Sequence, residues 1–113
     1  MSKKVLLWVD DTRDPFEDDW LNFSPIGRNC EVIWLQTAEE AISWLENHWP
    51  DAICLDHDLG EGKNGYDIAK FIVEKAISGH LKLPKYTSQS ANPIGRENIL
   101  KLFQNYEKRG FDL

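Results

Sequence analysis

The chain has 113 residues, 42% of them apolar and 12% aromatic, enough for one compact domain (1–113) whose core needs no disulfide staples. Acidic residues outnumber basic ones by 19 to 13 for a net charge of −6, which excludes a broad phosphate-tracking surface and with it a double-stranded DNA partner. The longest apolar run, Val5 to Val9, is too short to cross a bilayer, and Asp10 and Asp11 cut it off before a signal-peptide core could form, so no membrane association and a cytoplasmic location are expected.

The first predicted element is a strand over Lys4 to Asp10, apolar at both its odd and its even positions and therefore covered on both faces. Residues 11–30 carry Pro15, Pro25 and Gly27 and leave room for at most a short helix near Glu17 to Asn22. A second strand follows at Glu31 to Leu35. Thr37 and Glu40 form a capping-box pair that opens a helix with the stripe Ala41, Ile42, Leu45 and Trp49, stopped by Pro50. Ala52 to Leu55 reads as a third strand and ends at Asp56. A glycine-rich loop then leads into a helix from about Tyr66 to Ser78, with Gly79 placed to terminate it. A more polar strand, Lys85 to Gln89, belongs at a sheet edge. Asn92 and Pro93 start a last helix that carries Ile99, Leu100, Phe103 and Tyr106 and runs to Gly110. Alternation of this kind predicts an α/β fold, a parallel sheet of about four strands in the order 2-1-3-4. Cys54 reads as a small core residue, and both it and Cys30 as reduced thiols.

Ligands of open parallel sheets bind beyond the carboxyl ends of the strands, where the strand order switches. Here the switch lies between strands one and three, which end in Asp10-Asp11 and Asp56-His57-Asp58. Up to four carboxylates meet there and their repulsion calls for a cation, with hard oxygen donors suiting Mg²⁺ or Mn²⁺. Asp11 and Asp56 are the expected direct ligands, with Asp10 acting through water because neighbours on a strand point to opposite faces. Asp58 completes the cradle. Asp14, Glu17, Asp18 and Asp19 read as a solvated loop. His57, flanked by two carboxylates, is a candidate general acid or phosphate contact, against the alternative of an imidazole that merely bridges them. His48 and His80 fall near helix ends and have no assigned role. Across the site, Ser88, Gln89, Ser90 and Asn92 with a following helix N-terminus and Arg96 outline an anion pocket.

The acidic pair after strand one, Asp56 after strand three and Thr87 or Ser88 after strand four resemble the receiver domains of two-component signalling, but that family's Lys-Pro after a fifth strand has no counterpart. The chain is more similar to a receiver-derived group, the cyclic-phosphate processing receiver domain. The motifs that carry this resemblance are Asp10-Asp11-Thr12-Arg13-Asp14-Pro15, Asp56-His57-Asp58-Leu59-Gly60 with Gly65-Tyr66-Asp67, and Gln89-Ser90-Ala91-Asn92-Pro93-Ile94-Gly95-Arg96. It implies a truncated flavodoxin-like, three-layer receiver fold. It also implies metal-dependent processing of cyclic phosphates (2′,3′-cyclic RNA ends or cyclic nucleotides), with Asp56 and His57 catalytic. Gln89 stands where the family places a second histidine, and a glutamine shuttles no proton near pH 7. That substitution points to the alternative of an impaired nucleotide- or protein-binding module. A phosphoaspartyl switch at Asp56 is disfavoured by the missing Lys-Pro.

Overall fold

The computed structural model describes residues 3–108. Four parallel strands form one sheet: β1 (Val5–Val9), β2 (Glu31–Leu35), β3 (Ala52–Leu55) and β4 (Lys85–Thr87), in the order β2-β1-β3-β4. Three helices follow the last three strands: α1 (Ala38–Asn47), α2 (Gly65–Gly79) and α3 (Pro93–Lys108). No helix among the described residues is long and apolar enough to cross a membrane.

β1 is apolar on alternate sides because both of its faces are covered. Leu7 and Val9 join Ile53 and Leu55 of β3 beneath all three helices, meeting Ala41 and Leu45 of α1, Ile68 and Ile72 of α2, and Ile99 and Phe103 of α3. Leu6 and Trp8 face the other way with Ala52 and Cys54, and the crossover between β1 and β2 covers them. That crossover contains one 3-10 helix, Trp20–Phe23, whose Leu21 is buried against them. The third layer of the fold is thus this short turn and its flanking loop rather than a full helix. The buried Trp8 indole N–H is satisfied by the carbonyl of Arg13, so the loop closes on the sheet without stranding a donor.

Capping follows local chemistry. Thr37 and Glu40 form a reciprocal capping box on α1, and Asn64 and Asp67 form a second on α2. Asn92 caps α3, its side-chain oxygen accepting from the Gly95 amide at 3.0 Å.

Several boundaries depart from expectation. α2 continues through Gly79, and His80, with φ of 54°, takes the left-handed position expected of that glycine. α1 ends at Asn47, so Trp49 packs on the core from the loop beyond it, its indole N–H held by the Lys82 carbonyl. β4 stops at Thr87 because the Leu55 carbonyl accepts from the Ser88 hydroxyl at 2.7 Å instead of continuing a backbone ladder. The expected end of the last helix at Gly110 lies outside the described residues. His48 holds the Trp44 carbonyl at the end of α1, and both Cys30 and Cys54 are free thiols.

Candidate functional site

Strand register builds the site. Val9 lies opposite Leu55, and the Asp56 amide donates to the Val9 carbonyl at 2.9 Å, so Asp10 and Asp56 leave adjacent strands side by side. Asp10 is fully buried and Asp56 nearly so, while Asp11 is half-buried. Oxygens from these three carboxylates lie within 4.8 Å of one another. A cluster of hard oxygen donors this close suits a divalent ion, so the acidic group could bind one.

The three acids are not equivalent. Asp10 Oδ1 accepts from the backbone amides of Thr12 and Arg13 at 3.0 and 2.9 Å, and Asp10 Oδ2 accepts from Gln89 Nε2 at 3.2 Å. It is therefore committed to holding the chain as it leaves β1. Asp56 is held by a hydrogen bond from Ser90, and burial followed by the neighbouring Asp10 charge pushes its carboxyl above the usual carboxylate range. Asp11 makes no side-chain hydrogen bond or ion pair with another described residue.

Asp58, expected in the cation cradle, is not in this group. Its exposed carboxylate receives His57 Nδ1 at 2.8 Å and Asn92 Nδ2 at 3.4 Å, and these hydrogen bonds, His57's first, hold its carboxyl below the ordinary range. It turns toward the start of α3, three residues past the end of β3 at Leu55. The imidazole is bounded on another side by Gly95, where an added β-carbon would fall 2.3 Å from the ring. His57 therefore has one nitrogen anchored and one face pinned, and Nε2 carries no protein partner among the described residues. The ring lines a groove of about 490 Å³ between α2 and α3, together with Asn64, Tyr66, Asn98, Lys101 and Asn105.

The expected anion pocket is mostly spoken for. Ser88 and Gln89 are buried, Ser88 bonded to β3 and Gln89 donating to the Val9 carbonyl as well as to Asp10. Both Gln89 amide hydrogens are engaged, and its buried Oε1 has no partner. A carbonyl oxygen offers nothing to phosphate, so Gln89 braces Asp10 where the sequence suggested a phosphate contact. Ser90 serves Asp56, and Asn92 serves both Asp58 and the helix cap. Arg96 is exposed and its Nε donates to the Ser88 carbonyl at 2.9 Å, which leaves its terminal nitrogens free to meet an anion.

Arg13 is the residue to which the sequence reading gave no role. Its guanidinium reaches Asp10 Oδ2 at 3.3 Å and Asp56 Oδ2 at 3.6 Å, and lies 5.0 Å over the Trp20 ring. The signal was present: a basic residue two positions beyond an acidic pair that ends a strand apolar on both faces. Glu17, Asp18 and Asp19 are exposed, as a solvated loop requires, and Asp14 caps the Phe16 amide.

A four-stranded parallel sheet with helices on one face and clustered acids at its switch point is the receiver class of flavodoxin-like fold. The model of the cyclic-phosphate processing receiver domain matches residues 5–105, and the chain belongs to that family. Among solved structures, a fusion carrying the trimeric coiled coil of yeast Spc42 aligns at 25% identity and TM-score 0.63, over 90% of this chain and 65% of that one. The chain thus spans about two thirds of that fusion's length. The signal receiver domain of a protein described as a LuxO repressor from Vibrio parahaemolyticus aligns at 16% identity and TM-score 0.63, covering 88% and 72%. The Mn²⁺-bound form of the response regulator Rcp1 aligns at 24% identity and TM-score 0.57, covering 88% and 75%. No curated protein matches.

Proposed function

We propose that this receiver-like domain binds a cyclic phosphate, such as a 2′,3′-cyclic nucleotide or RNA end, and opens it by hydrolysis with a divalent metal. The observation that carries this reading is the Asp58–His57 pair. A carboxylate fixes Nδ1 at 2.8 Å and leaves Nε2 free, one residue beyond an acid of the carboxylate cluster. That arrangement suits a general acid–base group. Nε2 takes a proton from the attacking water as its oxygen bonds to phosphorus, and returns it to the departing alkoxide as the ring P–O bond breaks. Asp11 and Asp56 would hold Mg²⁺ or Mn²⁺, with Asp10 behind them, and Rcp1 is a receiver solved with Mn²⁺. The ion would supply charge neutralisation at the phosphate. The free nitrogens of Arg96 would meet phosphate oxygens, and the groove beside His57 gives the remainder of the ligand space.

Incubation with a 2′,3′-cyclic nucleotide and Mg²⁺ or Mn²⁺ tests this reading. Ring-opened product should form, and His57→Ala should abolish it. No turnover, or turnover that survives His57→Ala, overturns it.

A second reading has its own observation: Gln89 is buried, has no titratable proton and spends both N–H groups on Val9 and Asp10. A domain with one proton carrier in place of two would hold its ligand, or a protein partner, without turnover. Thermal stabilisation by a cyclic nucleotide without product formation would select nucleotide holding.

A further inference from the structure

We infer that Arg13 is the resident counter-ion of the Asp10–Asp56 pair, and that a divalent ion binds this site by displacing its guanidinium. The inference rests on the metal reading above and adds to it a residue that sets metal affinity.

Two buried carboxylates on adjacent strands would be costly without a nearby positive charge. In this structure that charge comes from the chain itself. Arg13 leaves β1 three residues after Asp10, and Asp10 Oδ1 fixes the turn by accepting from the Arg13 backbone amide at 2.9 Å. The turn sends the side chain back across the strand ends, where one terminal nitrogen lies 3.3 Å from Asp10 Oδ2 and 3.6 Å from Asp56 Oδ2. A single cationic nitrogen bridges two acids from two strands, and one of them, Asp56, is an acid that would hold a bound ion.

The hold is reversible in kind. Neither contact is a bidentate fork, both are long for charge-assisted hydrogen bonds, and the Arg13 side chain is still 22% exposed. A divalent ion bonds carboxylate oxygens at about 2.1–2.6 Å and brings twice the charge. Guanidinium and ion repel one another at this range and share the Asp56 carboxylate, so binding of one weakens the other. Trp20 gives the displaced group somewhere to rest: its ring already lies under the guanidinium, 5.0 Å from Cζ, and is attached to the same crossover. Arg13 can leave the acids without leaving an aromatic face.

The same geometry supplies the readout. Displacement changes the environment of Trp20, so Mn²⁺ should alter tryptophan emission, and Trp20→Phe should remove that change while leaving Mn²⁺ binding measurable by electron paramagnetic resonance. Arg13→Gln removes the competing charge and should tighten Mn²⁺ binding about tenfold or more. In metal-free buffer it should melt at a lower temperature than the wild type, and Mn²⁺ should raise its melting temperature by more. A variant that folds only with Mn²⁺ present supports the inference equally, because the ion has then replaced the guanidinium. Should Arg13→Gln fold under neither condition, Arg13→Lys decides. It keeps the charge but carries it on a more strongly hydrated ammonium that buried acids hold less readily, and should bind Mn²⁺ with an affinity above that of the wild type. Affinity at or below wild type in the variant that folds overturns the inference and leaves the metal reading standing. Failure of both wild type and variant to bind Mn²⁺ at millimolar concentration overturns both.

Discussion

Gly95 lies flat against the imidazole of His57: a β-carbon built on it would fall 2.3 Å from His57 Cγ and 2.6 Å from both Cδ2 and Nδ1. The first turn of α3 therefore presses its backbone onto the ring, and Asn92 of the same turn holds Asp58, the carboxylate that anchors Nδ1. Gly95→Ala should displace the ring or push α3 off the sheet. Because Gly95 and the neighbouring Ile99 are buried, an unfolding cost of about 2 kcal/mol or more is expected. Denaturant melts measure it. An unchanged midpoint together with unchanged His57 ring resonances would mean that the ring does not lie against Gly95 in solution.

Asp58 is the acid whose role moved furthest from expectation, from cation ligand to partner of His57. Its exposure makes the contact a minor source of stability, so its value is in fixing which imidazole nitrogen bears the proton. Asp58→Asn should leave the melting temperature within about 2 °C of wild type and lower any cyclic-phosphate turnover roughly 10- to 100-fold. Metal affinity should hardly change, since Asp58 lies outside the group of three converging acids. A marked loss of Mn²⁺ binding in this variant would return Asp58 to the cation site.

What was legible in the sequence was local or periodic. The Thr37–Glu40 box, the two-faced apolar run of β1 and the Asn92 cap depend on neighbours within a few residues, and each forms as expected. The order β2-β1-β3-β4 followed from alternation and the rules of parallel connections, and with it the meeting of Asp10 and Asp56. Side-chain commitments across the fold were not legible. Gln89 reaches Asp10 from 79 positions away, and nothing near it in sequence tells an open phosphate contact from a buried brace. Asp58 follows Asp56 by two residues, which on a continuing strand would place both on one face. The strand ends at Leu55, so that alternation no longer applies. Arg13 turned back onto the acids because Asp10 caps its own turn, but its reach to Asp56 depends on the register of β1 against β3.

The two thiols report on the thinly covered face of the sheet. Cys54 is fully buried beneath the crossover, and burial pushes its thiol well above the ordinary range. Cys30 is half-buried and is also raised, by burial first, against a hydrogen bond with Ser24. Thiolate is the reactive form, and a raised pKa lowers its fraction at any pH below that value. At pH 8, native protein should therefore label at Cys30 more slowly than a free-cysteine peptide, with the rate rising as pH rises, and should not label at Cys54. In denaturant both should label at the peptide rate. Mass spectrometry after timed alkylation separates the two sites, and rapid native labelling of Cys54 would show that the crossover opens readily from the sheet.

Gln89→His places a second imidazole where the family pattern has one and asks whether the missing proton carrier limits this domain. Gln89 now gives two hydrogens, to the Val9 carbonyl and to Asp10 Oδ2, each at 3.2 Å, and leaves Oε1 buried and unpaired. A neutral imidazole has one N–H and one lone pair, so it can keep only one of those two bonds. The protonated ring has two N–H groups and could serve both acceptors, with the negative Asp10 favouring that form. The variant should consequently be less stable than wild type at alkaline pH, by about 1–2 kcal/mol for the lost buried bond, and should recover as the pH falls through the range where histidine protonates. If ring opening of a 2′,3′-cyclic nucleotide then rises at least tenfold over wild type, the second proton carrier was limiting and the hydrolytic reading gains support. If stability follows the expected pH course while turnover stays at the wild-type level, Gln89 is a brace for Asp10 whose replacement adds no chemistry, and His57 with the cation site must account for whatever turnover the domain has.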